Sequence, residues 1–203
     1  MPRLRTVVCV LSPVAASIII NGMESLQYAL VAYVRSPIGT FVEELRREIH
    51  PEHGHLAAHV TVLPPRPLHG TESEALAEVA KFAGLQPAFH IGMGEVESFV
   101  PSTPTIFIRV ARAAYRMREL HDAMNAGALQ YQEPWPYMPH LTVAKLDCAP
   151  DVEQLIDTAR QRWNSYHGSR DVLIDNLAFV RGSGHTWFDI AQFSLDGRVA
   201  VPR

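Results

Sequence analysis

The sequence predicts an α+β protein whose topology is duplicated within one chain. Three observations carry that expectation. The tetrapeptide HVTV at His59 to Val62 returns as HLTV at His140 to Val143. Each copy alternates a polar residue with an aliphatic one, the period of a half-buried strand. The order of elements around each copy also repeats: apolar strand, helix, motif strand, helix, closing strands.

Leu26 to Val34 (LQYALVAYV) is apolar and rich in strand formers, so it reads as a buried strand. Ser36-Pro37 opens a helix, with Ser at the N-cap and Pro at the first helical position. Its pattern turns Phe41, Val42, Leu45 and Ile49 inward, and Glu43, Glu44, Arg46 and Arg47 outward. The helix stops near Pro51, and the HPEHGH stretch is a loop. The first motif strand runs from about Ala57 to Leu63 and is ended by Pro64, Pro65 and Pro67. Thr71 with Glu74 forms a capping box for a helix carrying Leu76, Val79, Ala80 and Ala83 on one face. Strand pieces follow at Phe89 to Met93 and Glu95 to Val100.

Beyond Pro101 and Pro104 the order recurs. Thr105 to Val110 is an apolar strand, and Ala113 to about Ala126 an amphipathic helix with Tyr115, Met117, Leu120 and Met124. The loop EPWPYMP leads into the second motif strand. Pro150-Asp151 starts a helix with Val152, Leu155, Ile156 and Ala159. Two strands close the chain, Val172 to Arg181 and Thr186 to Leu195, joined by a turn at Gly182-Ser183-Gly184. The apolar strands end at Val34 and Val110, 25 and 30 positions before His59 and His140. Two such halves, related by a pseudo-two-fold axis, bring both His-Thr pairs to one cleft.

Size and charge narrow the function. A chain of 203 residues, 47% hydrophobic and 19% charged, supports one sizeable core or two small fused lobes. A net charge of −3 and a pI near 6.4 argue against gripping long nucleic acid by charge, but suit a small phosphate ligand or an RNA end. Cys9 and Cys148 have no metal-type spacing and make no disulfide framework, which fits the cytoplasm. Residues 1–22 stand apart. Arg3 and Arg5 precede an apolar run, Val7 to Ile20, broken by Ser12 and Pro13 and too short to span a bilayer. The reading adopted is a true start at Met23, with a leader as the alternative. Residues 23–203 are then a single domain with lobes of roughly 23–100 and 101–203.

Within each motif, His and Thr lie two apart and point to the same strand face, about 6.5–7 Å apart. Histidine exchanges a proton near neutral pH, so two imidazoles suit a reaction with a proton removed on one side and delivered on the other. Thr61 and Thr142 can donate to the non-bridging oxygens of a phosphodiester, while His59 and His140 address the attacking and leaving oxygens. Hydroxyls, an imidazolium and a nearby Lys or Arg meet the charge, so no metal or other cofactor is expected.

The pair of motif strands, best seen in AHVTVLPPRPL (Ala58 to Leu68) and MPHLTVAKL (Met138 to Leu146), resembles the two-histidine (2H) phosphoesterases, in the bacterial branch named for 2′-5′ RNA ligase. The resemblance covers Met23 to Leu195. It implies two pseudo-symmetric lobes, each a mainly antiparallel sheet with outer helices. It also implies hydrolysis or formation of cyclic or 2′-5′ phosphodiesters, with His59 and His140 as acid and base and Thr61 and Thr142 holding the phosphate. Many relatives carry Arg three residues after the second Thr. Lys145 stands there in this chain, keeping the charge but not the bidentate fork.

Other residues are weighed beside these. Lys145, on strict alternation, faces away from His140. Arg66, past the first motif strand, can reach a cleft mouth, and Trp135 and Tyr137 can stack a nucleobase. His50, His53 and His55 hint at a metal but lie in a loop without Cys or a helical pair, so none is assigned. His121 is placed on the surface. The expected partners are RNA ends bearing a cyclic phosphate or small cyclic nucleotides, acted on by a monomer with no membrane association. The alternatives are a cyclic phosphodiesterase for a small non-RNA metabolite, a non-catalytic RNA- or nucleotide-binding module, and, as an outsider, a zinc hydrolase using HPEHGH.

Overall fold

The computed structural model describes residues 26–146, 151–183 and 186–197; residues 1–22, Cys148 and Pro150 lie outside that range. The strands are β1 (Gln27–Tyr33), β2 (His59–Arg66), β3 (Phe89–Ser98), β4 (Thr105–Arg112), β5 (His140–Lys145), β6 (Asp171–Ile174), β7 (Asn176–Ser183) and β8 (Thr186–Ser194). They form one antiparallel sheet in the order β6-β3-β4-β5-β2-β1-β7-β8. The two motif strands, β2 and β5, are central neighbours.

Helices α1 (Pro37–Ile49), α2 (Glu72–Leu85), α3 (Ala114–Met124) and α4 (Val152–Asn164) all pack on one face of the sheet. The large core lies between them: Leu30, Val60, Val62, Ile106, Ile108, Leu141, Val143, Leu177 and Phe179 meet Val42, Leu45, Val79, Met117, Leu120, Ile156 and Trp163. Each such side chain contributes about 1.5–3 kcal/mol on full burial. The opposite face carries a smaller apolar patch of Ala29, Val31, Ala178 and Val180, with Tyr33 beside it. This open face holds the motif side chains.

The sheet is curled. Only Asp175 lies between β6 and β7 in the chain, yet five strands lie between them in the sheet. The strand read from the sequence over Val172 to Arg181 is therefore two, one on each half-sheet. Leu195 N donates to Asp175 O at 2.8 Å and Gly197 N to Gln86 O at 3.0 Å, which fastens the two ends together. The half-sheets are drawn from both sequence halves, since β3 lies beside β4, and β7 beside β1.

Several local expectations change. Phe89 to Ser98 is one strand, irregular between Met93 and Val96, rather than two pieces. β2 runs through Pro64 and Pro65 to Arg66, because past Val60 it pairs with β1 alone and the missing N–H groups cost no ladder bond on the other side. The capping box of Thr71 and Glu74 forms as read, with Ala75 rather than Ala80 joining Val79 and Ala83 in the core. Tyr115 is exposed, and His121, expected outside, is buried. Arg46 is also buried, not outward. At 100° per residue it shares the inward stripe with Val42 and Ile49, and its polar head finds backbone carbonyls there.

Candidate active site

The register of the motif strands defines the site. Val60 pairs with Leu141 in antiparallel sense. One step to either side sets His59 opposite Thr142, and Thr61 opposite His140. Val60 and Leu141 are fully buried beneath, so the four polar residues share the open face. The two histidines lie on the diagonal of this quartet, their Cα atoms about 7–8 Å apart on ideal sheet spacing. Each histidine sits across from the other motif's hydroxyl.

Both rings are oriented by the same device. His59 Nδ1 bonds the carbonyl of Ala57 at 2.8 Å, and His140 Nδ1 bonds that of Met138 at 2.7 Å. A carbonyl only accepts, so the bond requires hydrogen on Nδ1. That leaves Nε2 in both as the ring nitrogen able to accept a proton when bare and to donate one when protonated. Burial pushes both imidazoles below the ordinary histidine pKa, against the opposing effect of the Nδ1 bonds. His59 is lowered further by the Arg46 guanidinium and by His140. Both rings are thus held largely neutral at pH 7 in the free protein.

The seats of the two rings differ. His140 lies against Phe99 and Phe107, with centroids at 5.3 and 5.0 Å. His59 meets the edge of Tyr33 at 6.4 Å. Burial, with Asp189 accepting from its hydroxyl, pushes the Tyr33 pKa up to about 12, so the phenol stays protonated.

A β-bulge corrects the orientation of Lys145. Ile106 pairs with Ala144 but Phe107 with Thr142, so Val143 is an extra residue. Val143 and Ala144 both turn into the core, and alternation resumes with Lys145, opposite Thr105, on the open face. The first motif does the same: Leu30 pairs with Leu63 and Val31 with Thr61, leaving Val62 extra. The place matching Lys145 holds Pro64.

Arg66 does not reach the cleft. It is fully buried, ion-paired with Glu133, and donates to Asn125 Oδ1 at 2.7 Å, Leu129 O at 3.1 Å and Pro64 O at 2.9 Å. A strand that continued through the prolines turned it inward. Its effect is to anchor the loop before the second motif. Tyr137 is likewise an anchor rather than a free platform: its hydroxyl donates to Thr61 O at 2.7 Å and its ring stacks on His121 at 4.1 Å. Trp135 is 66% exposed and stays available for stacking.

Two further charged side chains lie beside the quartet. Arg109, opposite His140 on the open face, is half-exposed and paired with Glu97 at 3.3 Å. Its charge is the one break in the apolar strand TIFIRV, but only the register puts it beside a motif. Arg46 lies under the same quartet on the helix side. Among the described residues no cluster of three or more His, Cys, Asp or Glu is grouped to hold a metal, and no helix is long and apolar enough to cross a membrane.

The profile of the 2′-5′ RNA ligase superfamily matches residues 34–186, about three quarters of the chain. The chain belongs to that superfamily. A protein of Oceanobacillus iheyensis, provisionally named a phosphoesterase, is 26% identical over 121 residues, covering 59% of this chain and 71% of its own. One with the same provisional name in Bacillus cytotoxicus is 23% identical over 121 residues, 59% of this chain and 70% of its own. Among solved structures, TT0787 of Thermus thermophilus superposes with a TM-score of 0.62 at 14% identity, covering 85% of this chain and 100% of that one. Escherichia coli LigT, crystallised with NADP+, gives a TM-score of 0.55 at 12% identity, covering 84% and 98%. These structures share the fold. Family and fold together make this chain a phosphoesterase or 2′-5′ RNA ligase-like enzyme.

Proposed function

We propose that the protein is a metal-independent phosphodiesterase of the 2H type, opening 2′,3′-cyclic phosphates on nucleotides or RNA ends. The observation that carries this reading is the crossed quartet, His59 opposite Thr142 and Thr61 opposite His140. Two hydroxyls straddle the space between two Nε2 atoms, which matches a phosphorus with two non-bridging oxygens and an in-line pair of attacking and leaving oxygens. One Nε2 takes a proton from water while the water oxygen bonds to phosphorus. The bond from phosphorus to the leaving ribose oxygen breaks, and the other Nε2–H supplies that oxygen's proton. Thr61 and Thr142 donate to the oxygens on which charge grows. Lys145 and Arg109, on the same face, supply the positive potential that the hydroxyls lack. Residues 23–203 act as one domain, in a cytoplasmic monomer, with Trp135 offering a face to a base.

LigT has also been crystallised with 3′-AMP, at a TM-score of 0.51 to this chain. That supports nucleotide-sized ligands here too, as does the absence of a net positive charge. The test is turnover of the four 2′,3′-cyclic nucleotides after exhaustive chelation, with products resolved by phosphorus NMR. A single phosphomonoester isomer is the expected product, unaffected by EDTA. No turnover of any cyclic phosphate, or rescue by zinc alone, would count against the reading.

A further inference from the structure

The quartet is symmetric in its reacting groups, but the ground beneath its two ends is not. α1 follows β1 and crosses under β5; α3 follows β4 and crosses under β2. Each sends one buried polar side chain to the bulge of the motif strand above it. From α1, Arg46 donates to Thr142 O at 2.8 Å and Val143 O at 3.3 Å, and also to Leu56 O, three residues before His59. From α3, His121 Nδ1 bonds Val62 O at 2.8 Å, and the residue three before His140, Tyr137, stacks on that ring. The positions correspond almost residue for residue. Arg46 lies 13 after Tyr33, the partner of His59, and His121 lies 12 after Arg109, the partner of His140.

We propose that Arg46 makes the two halves unequal: it ties β5 to the segment entering β2 beneath the His59 end of the site and, as a fixed cation there, designates His59 as the general base and His140 as the general acid. Thr142, whose carbonyl Arg46 holds, is the residue across from His59, and Leu56 leads into His59. The guanidinium is therefore bonded on both sides of that ring's position, to carbonyls rather than to a carboxylate. Beneath the other end lie the neutral Tyr137 hydroxyl, bonded to Thr61 O, and the compensated pair of Arg66 and Glu133. A fixed cation at one end disfavours a second positive charge there.

The other groups around the rings do not restore the balance. His59 is faced by Tyr33 and Arg35 at the end of β1, by Asp189 of β8 through the Tyr33 hydroxyl, by Thr142 and His140 of β5, and by Glu43 and Arg46 of α1. Asp189 accepts from the Tyr33 hydroxyl, and Glu43 accepts from Ala58 N and offsets part of the Arg46 charge, yet Arg46 still lowers the His59 pKa. His140 is faced by Thr61 and His59 of β2, by Phe99, and by Phe107 and Arg109 of β4, where Glu97 offsets Arg109. Arg46 is a positioning residue: it lies beneath the sheet, bonded to backbone carbonyls, and acts through the charge it places under His59.

The role assignment rests on the proposed function, but its test does not need a substrate. Imidazole Cε1–H titrations by NMR on the full chain, assigned with His59→Gln and His140→Gln, should show His59 losing its proton at lower pH than His140. In Arg46→Gln the His59 midpoint should rise by roughly half a unit to one unit while His140 stays within a tenth or two. Arg46→Lys keeps the charge but not the three-carbonyl clamp, so His59 should titrate near its wild-type midpoint although the protein melts earlier. His140 titrating below His59 in the wild type overturns the proposal. So does an Arg46→Gln shift that is absent or falls on His140. If Arg46→Gln does not fold, the wild-type order and Arg46→Lys still decide. Failure here is separate from failure to turn over any cyclic phosphate, which would instead sink the functional reading.

Discussion

The His59 and His140 halves of the site agree wherever geometry is set and differ wherever charge is set. In both, an i−2 carbonyl fixes the imidazole, the Thr lies two residues on, and the next residue is bulged into the core. Their surroundings are otherwise chemically distinct. Tyr33 stands across from His59 and Arg109 across from His140; Pro64 follows the first bulge and Lys145 the second. Arg109 and Lys145 thus stand on the β4–β5 side, while Arg35 and the buried guanidinium of Arg46, bonded to backbone carbonyls, lie at the other end. The two halves share what orients a proton-transfer group and differ in the field around it. A reaction that moves a proton in one direction needs both.

Removing either imidazole is the largest break. His59→Ala and His140→Ala should each lower kcat on a cyclic nucleotide by about 10²–10⁴, and the double variant should fall short of the product of the two. Steady-state turnover measures this. If one half alone sustains the rate, the halves are not partners.

Removing the hydroxyls comes next. Thr61→Ala and Thr142→Ala should each cost roughly 10²–10³ in kcat with little change in folding, since both side chains face the open side. Unequal losses would show which half carries more of the developing charge.

Arg66 and Lys145 separate anchoring from binding. Arg66→Met leaves Glu133 without its partner and should lower unfolding free energy by about 3–5 kcal/mol in urea titrations. Lys145→Ala should leave stability unchanged and lower kcat/KM by about twofold to tenfold, since its head is solvated. The reverse pattern would return both to the roles their sequence positions suggested.

The smallest effect is on stability against pH. Both site imidazoles have folded pKa values below the unfolded value of about 6.5, so the unfolded chain binds more protons there. Their contribution is fully present above that pH and is lost as pH falls through the folded values. The urea midpoint should therefore drop on going from pH 7 to pH 5, and less steeply when both are replaced by Gln.

The motif pair, the element order and the capping box of α2 were legible because each rests on short-range pattern: alternation, helical period, a Thr and a Glu three apart. What the sequence hid depends on register. A bulge has no residue signature in Thr142-Val143-Ala144, yet it turns Lys145 to the site. The break at Asp175 looks like continued strand because both sides of it are apolar strand formers, although they join opposite ends of the sheet. Arg66 and Arg46 carry charges that normally mark solvent, and only their carbonyl and carboxylate partners, distant in the chain, explain their burial. His121 is hidden in the same way, by Val62 O and the face of Tyr137.

The central claim is that the two histidines serve one phosphorus in complementary protonation states. The pH dependence of kcat/KM for a 2′,3′-cyclic nucleotide tests it most directly, because it reports the free enzyme's acid and base. A bell is expected, with its maximum below pH 6.5 because both imidazoles are lowered, and each single His→Ala variant should lose one limb from its residual rate. A rate independent of pH between 5 and 8, or a single variant that keeps both limbs, would contradict the account.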